Sequence, residues 1–217
     1  MAESSDAAAP VAVERARDLI ALSDWRRRVV DLYRLVRTAS DPAEGWRIWR
    51  AGRDELFARH PQSPLPDGER ASFRGIDYFD YDPSARVLAT VVPVEPVILD
   101  ISTSQDSVFR FTRCGNATFE LDGSSLALEL YWLEGYGGGI YLPFADATCG
   151  TSTFGGGRYL LDTVKGADLG TDGDRLVLDF NFAYNPSCAY DPRWICPLPP
   201  PANRLPVGIG SGERIAT

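Results

Sequence analysis

The spacing of apolar residues changes once along this 217-residue chain, and the change divides it. Between Val13 and Arg37, Leu19, Leu22, Trp25, Val29, Leu32 and Val36 recur at intervals of three and four. That spacing lays one apolar stripe along an α-helix, and Ser23 is its expected weak point. A second helix is expected after "SDP" (Ser40–Pro42), with Asp41 as N-cap and Pro42 as the first helical residue. Its apolar face carries Trp46, Trp49, Leu56 and Phe57, with His60 one turn further. "HPQSPLPDG" (His60–Gly68) should end it and continue as an extended, proline-restricted crossing segment.

From Gly75 onward the period is two, the signature of strands. "ATFELDGSSLALELYW" reads as a hairpin with Asp122-Gly123 as its turn. Leu126, Leu128, Leu130 and Trp132 line one face of the return strand. "GGIYLPF", "RYLLDT" and "DGDRLVLDFNF" add further strands, and others fit Ala85–Val92, Val97–Ile101 and Val108–Arg113. Seven or eight short strands with Gly-rich turns predict a mainly β (α+β) fold, an antiparallel β-sandwich or barrel. The expected organisation is a helical arm with its crossing segment over residues 1–74, packed on a β domain over 75–217.

Charge follows the same division. Up to Arg74 there are 13 basic and 12 acidic residues, and beyond it 9 and 18. So acidic a β domain is a poor match for nucleic acid or an anionic membrane surface, which need clustered Lys/Arg. No apolar run has the length of a membrane span, and the N-terminus lacks the pattern of a secretory signal, so a cytoplasmic protein is expected. Cys114, Cys149, Cys188 and Cys196 are then expected as reduced thiols, with a Cys188–Cys196 bridge or shared metal as the less favoured option. No basic motif flanks Cys188 or Cys196 to stabilise a thiolate, so none of the four is expected to be a nucleophile.

Three stretches carry the candidate chemistry. In Arg175–Phe182, read as one strand, Leu176, Leu178, Phe180 and Phe182 form a core face. Val177, Asp179 and Asn181 then form either a solvated face or the lining of a cavity. The segment that follows holds Pro186, Pro192, Pro197, Pro199, Pro200, Pro201 and Pro206. These residues restrict the unfolded chain and lower the entropic cost of ordering it. With Tyr184, Tyr190 and Trp194 it reads as a stiff cover, its turns held by Asn181 and Asn185.

"LPFADATCGTSTFGGGRYLLD" (Leu142–Asp162) places Arg158 after three glycines. Either the backbone N–H groups and the guanidinium meet an anion, or a tight hairpin holds Asp146 and Arg158 as a structural ion pair. His60, the only histidine, is a helix-end residue or a proton-transfer group. "DLGTDGD" departs from a calcium loop and reads as a polar turn.

Several motifs together resemble a bacterial and archaeal family, the domain of unknown function 1684. They are "WRAGRDELFARHPQSPL", "FRGIDYFDYDP", "LPFADATCGTSTFGGGRYL", "LDFNFAYNPSCAYDPRWICPLPPPANRLPV" and the final "GE". The resemblance runs from about Leu22 to Arg214. Phe154 stands where a tyrosine is expected, and Cys149 where a serine is more usual. The resemblance implies a β-rich domain and no established activity, so it lends no catalytic residues.

The functional expectation is therefore a small polar or anionic ligand held between the Gly-rich stretch and the cover. Arg158 would bind its charge, Asp146, Asn181 and Asn185 would orient it, and Tyr190 and Trp194 would wall it. One alternative is a small enzyme, flavin- or metal-dependent or neither, with His60 or Asp146 transferring protons. The other is a dimer or adaptor module using Trp25, Trp46 and Trp49. No cofactor or metal is identified from the sequence.

Overall fold

A computed structural model describes residues 8–215. Two helices come first, α1 (Ala8–Arg37) and α2 (Pro42–Arg59). Helix α1 runs straight through Ser23, whose hydroxyl turns back to donate to the Leu19 carbonyl at 2.9 Å and so does not compete with the helix. Asp41 caps α2 by accepting from the Glu44 N–H at 2.8 Å, and Pro42 occupies its first turn. The crossing segment is not extended. Ser63 N–H bonds to the His60 carbonyl, and further turns close at Glu69, Ser72 and Phe73. Pro61 is the cause at the first turn, because its fixed φ suits the second position of a β-turn as well as it suits extended chain.

Seven strands follow: β1 (Arg86–Ser102), β2 (Val108–Leu121), β3 (Ser124–Leu133), β4 (Gly139–Phe144), β5 (Arg158–Asp162), β6 (Thr171–Asp172) and β7 (Arg175–Asp179). They form one antiparallel sheet in the order β5-β4-β3-β2-β1-β7-β6. The two strands expected at 85–92 and 97–101 are one long β1 whose register shifts between Pro93 and Val97. Pro93 and Pro96 have no N–H to give the ladder, so the strand bends there instead of stopping. Asp122 and Gly123 have φ of 50° and 74°, the backbone of the tight hairpin turn that joins β2 to β3.

The sheet is open in its ladder and is not a closed barrel, but it curls. Phe180, just past β7, lies 5.6 Å from Phe119 of β2 and 5.2 Å from Phe144 of β4, ring centre to ring centre. Ala89, Leu128, Leu142, Leu161 and Leu178 share that core. The chain after β7 pairs with the free edge of β5, Tyr159 and Tyr184 exchanging N–H···O bonds of 2.9 and 3.0 Å. The cover thus satisfies one edge of the sheet that would otherwise be bare.

Strand β7 is shorter than expected. It ends at Asp179, and Phe180–Phe182 form a 3-10 turn capped by the Asp179 carboxylate. No solvated face exists there: Val177, Asp179 and Asn181 are all buried. The reason is α2, which lies over that side. Trp46 Nε1 donates to the Asn181 carbonyl at 3.1 Å, and Trp49 meets Phe182 at 5.0 Å.

The arm is therefore part of a second core, in which Leu32, Tyr33 and Val36 of α1 join Trp46, Trp49 and Phe57 of α2, Tyr78 and Phe182. Burying each such side chain is worth about 1.5–3 kcal/mol. Gly52 permits the close approach, since a Cβ there would fall 2.6 Å from Leu32 Cδ1. The stripe of α1 is buried only toward its C-terminal end, and Leu19 stays exposed.

Candidate functional site between the arm and the sheet

The predicted site residues fall into separate clusters. Arg158 has no exposed surface. Its Nη2 donates to Asp146 Oδ2 and to the Ile209 carbonyl, each at 2.9 Å, and its Nη1 donates to the carbonyls of Ser211 and Glu213. The other oxygen of Asp146 accepts from the Thr148 N–H and hydroxyl and from the Ile209 N–H. The chain's own carboxylate and carbonyls occupy both terminal nitrogens of the guanidinium, and Nε is buried without a partner among the described residues. The pair clamps the returning C-terminal chain to the Gly-rich loop.

His60 caps the end of α2, away from Asp146. Its Nδ1 accepts from the Gln62 N–H at 3.0 Å, which leaves Nε2 as the donor to Asp24 Oδ2 at 3.2 Å. Trp25 packs edge-on against it at 5.2 Å. These contacts account for the ring as a helix stop, and His60 and Asp146 share no cluster. Asn181 brackets Asp82, accepting from its N–H and donating to its carbonyl. Trp194 pins the cover by donating to the Pro64 carbonyl at 3.1 Å. Trp46 and Trp49 are buried, so the helices offer no face built from them to a partner.

Asn185 and Tyr190 do line cavities. A mostly apolar pocket lies between the arm and the sheet, walled by Trp25, Trp49, Phe57, Tyr159 and Tyr184. About 80 Å³ of it admits the centre of a water-sized sphere. A more polar cleft lies beyond it, lined by Arg50, Asp54, Phe154, Tyr190, Glu213 and Arg214. Asn185 lines both.

A buried ion pair stands between them. Arg53, which lines the apolar pocket, donates from Nη1 to Glu213 Oε2 at 2.9 Å and to the Tyr78 hydroxyl. Asn185 adds its N–H and Nδ2 to the Glu213 carboxylate, each at 3.0 Å. Burial pushes the Glu213 carboxyl up, and Arg53 with the Asn185 N–H opposes it. These donors converge on its two oxygens and favour the ionised pair. Lys165, also on the cavity, is matched by Asp162 at 2.8 Å.

Buried polar atoms without a partner among the described residues gather here: Tyr33 Oη, Trp49 Nε1 and Asn185 Oδ1. Burial pushes the Tyr33 hydroxyl well above its usual range, so it stays protonated. Trp49 Nε1 is its near neighbour but lacks hydrogen-bond geometry toward it.

Sequence reasoning missed Tyr33, Trp49, Arg53, Lys165 and Glu213 as site residues. One signal was present: Arg53 sits four residues from both Trp49 and Phe57, a charge on the apolar stripe of α2.

Residues 71–214 match the family model described as "Protein of unknown function (DUF1684)". The chain belongs to the DUF1684 family. The match starts after the helices, so "WRAGRDELFARHPQSPL", counted above among the resembling motifs, precedes it. The chain is also similar to an uncharacterized protein of Haloarcula marismortui, from gene locus rrnAC0354, whose structure was solved in solution by NMR. Identity is 39%, the similarity spans 76% of this chain and 89% of that one, and the TM-score is 0.56. No curated protein matches. For this DUF1684 member, no helix among the described residues is long and apolar enough to cross a membrane.

Proposed function

We propose that this DUF1684 protein binds a small uncharged molecule with a flat apolar body and an amide-like edge, in the apolar pocket between arm and sheet. One observation carries the reading: Tyr33, Trp49 and Asn185, whose Oη, Nε1 and Oδ1 are buried and unpartnered among the described residues, line the same pocket. A buried polar group left without a partner costs about 1–3 kcal/mol. Trp49 offers a donor, Asn185 an acceptor, and Tyr33 either. An amide answers them with an acceptor beside a donor.

Charge favours a neutral ligand over the anion expected from the sequence, because Glu213 and Asp162 already match Arg53 and Lys165. Aromatic walls suit a flat body. A cytoplasmic setting belongs to the same proposal, and the four unbridged cysteines support it.

Benzamide and benzoate make a matched pair of probes, one neutral and one anionic. Benzamide should raise the melting temperature in a saturable way, since a ligand at 100 times its Kd adds about 2.7 kcal/mol. Benzoate should do so less. Equal responses would return the choice to an anion site, and no response to either would defeat the reading.

A further inference from the structure

We infer that Cys196 and Cys188 form a peroxide-reactive dithiol, in which Cys196 attacks and Cys188 resolves the product to an intrachain disulfide. The cover folds back so that the Cys188 N–H donates to Cys196 Sγ at 3.3 Å, which brings the two cysteines together. Cys188 is on the 3-10 turn Ser187–Ala189. Cys196 is held from the other side, its N–H on Ser104 Oγ at 3.1 Å and its carbonyl on the Ser104 N–H at 2.8 Å. Both cysteines are therefore fixed, and both are unbridged.

The flanking sequence lacks a base, but the fold supplies a cation. Lys165, the chain's only lysine, acts on Cys196 from the turn after β5. The groups that act on Cys196 are Cys188 and the Ser187 N–H on its own segment, Lys165 with its partner Asp162, and Tyr141 of β4 and Tyr159 of β5, whose hydroxyls donate to the adjacent Pro197 carbonyl. Hydrogen bonding from Cys188, then from its backbone N–H, and the charge of Lys165 outweigh burial and lower the Cys196 thiol to about 6. Ser187, Lys165 and Tyr159, which surround the dithiol, also line the apolar pocket. Cys196 is 7% exposed, which restricts its reactants to very small molecules such as hydrogen peroxide.

The reaction balances in two steps. Cys196 thiolate attacks one peroxide oxygen, the O–O bond breaks, and hydroxide leaves with Cys196 as a sulfenic acid. Cys188 loses its proton and attacks Cys196 Sγ, the S–O bond breaks, and the departing hydroxide takes up that proton as water. Two thiols are oxidised and one peroxide is reduced to two waters. The inference is independent of the ligand proposed above.

The test uses the full reduced chain and hydrogen peroxide. Peptide mass mapping should find a Cys188–Cys196 disulfide, with Cys114 and Cys149 still reduced. Cys188→Ser should accumulate a sulfenic acid on Cys196, which dimedone traps once the protein is unfolded in its presence. Cys196→Ser should slow peroxide consumption by about tenfold or more. The wild-type rate should be flat above pH 7, because the thiolate is already formed, whereas an ordinary thiol near 8.5 still gains rate at pH 9. Oxidation of Cys114 as fast as Cys196, or a rate still climbing through pH 8 to 9, would overturn the assignment. The last two readouts need no variant, so poor folding of a mutant leaves the test intact.

Discussion

Arg158 and Asp146 face each other at 2.9 Å with both side chains closed to solvent. Removing one member of such a pair strands the other in the core. Arg158→Ala and Asp146→Ala should each cost about 3–5 kcal/mol. Arg158→Lys should also destabilise markedly, since a single ammonium cannot reach the carboxylate and the carbonyls of Ile209, Ser211 and Glu213 together. Thermal melting without any ligand measures all three. A melting point within a degree or two of wild type in Arg158→Ala would mean that the guanidinium is free for an outside anion.

Asp179 gives a prediction with a pH sign. Its Oδ2 is buried without a hydrogen-bond partner, and Arg86 stays 3.9 Å away. Burial raises its carboxyl above the ordinary 3.8, against hydrogen bonds from Asn181. Between the unfolded value and the raised folded one, the folded state binds more protons, so stability falls as pH rises through that window. Asp179→Asn should keep the Oδ1 contacts to Asn181 and remove the charge. Its melting temperature should exceed wild type at pH 7, with the gain shrinking at pH 4. A loss at pH 7 would show that the long Arg86 contact outweighs burial.

Tyr33→Phe separates stability from binding. Deleting an unpartnered buried hydroxyl should leave the ligand-free protein as stable or more so, by up to about 1 kcal/mol. The same variant should bind benzamide more weakly. Calorimetry on both proteins reads the two effects. A destabilised variant with unchanged benzamide affinity would mean that the hydroxyl has a structural partner and no ligand role.

The arm should not be removable. Deleting residues 1–40 strips Leu32, Tyr33 and Val36 from the second core and bares Trp49 and Phe182. Leu32→Ala alone should cost about 2–5 kcal/mol. Urea unfolding and light scattering should show a lower midpoint and aggregation for the truncated chain. Unchanged values would refute packing of the arm on the sheet.

The sequence by itself determined the features whose physics is local. The stripe at three- and four-residue spacing makes α1 and α2, and the Asp41-Pro42 start and the Asp122-Gly123 turn depend on neighbouring residues alone. The change to period two was enough to announce an antiparallel β fold. Of the ligand residues expected, Asn185 and Tyr190 line cavities, whereas Arg158, Asp146, Asn181 and Trp194 serve the frame. Tertiary structure decided the rest. Asp179 and Asn181 look like a wet face until α2, more than a hundred residues earlier, is laid over them. Arg53 meets Glu213 across 160 residues of chain, and Lys165 reaches Cys196 from another element. Alternation shows which residues share a face, but only packing decides which face is covered. A buried charge is tolerable only beside its partner, and that partner is set by how distant elements meet.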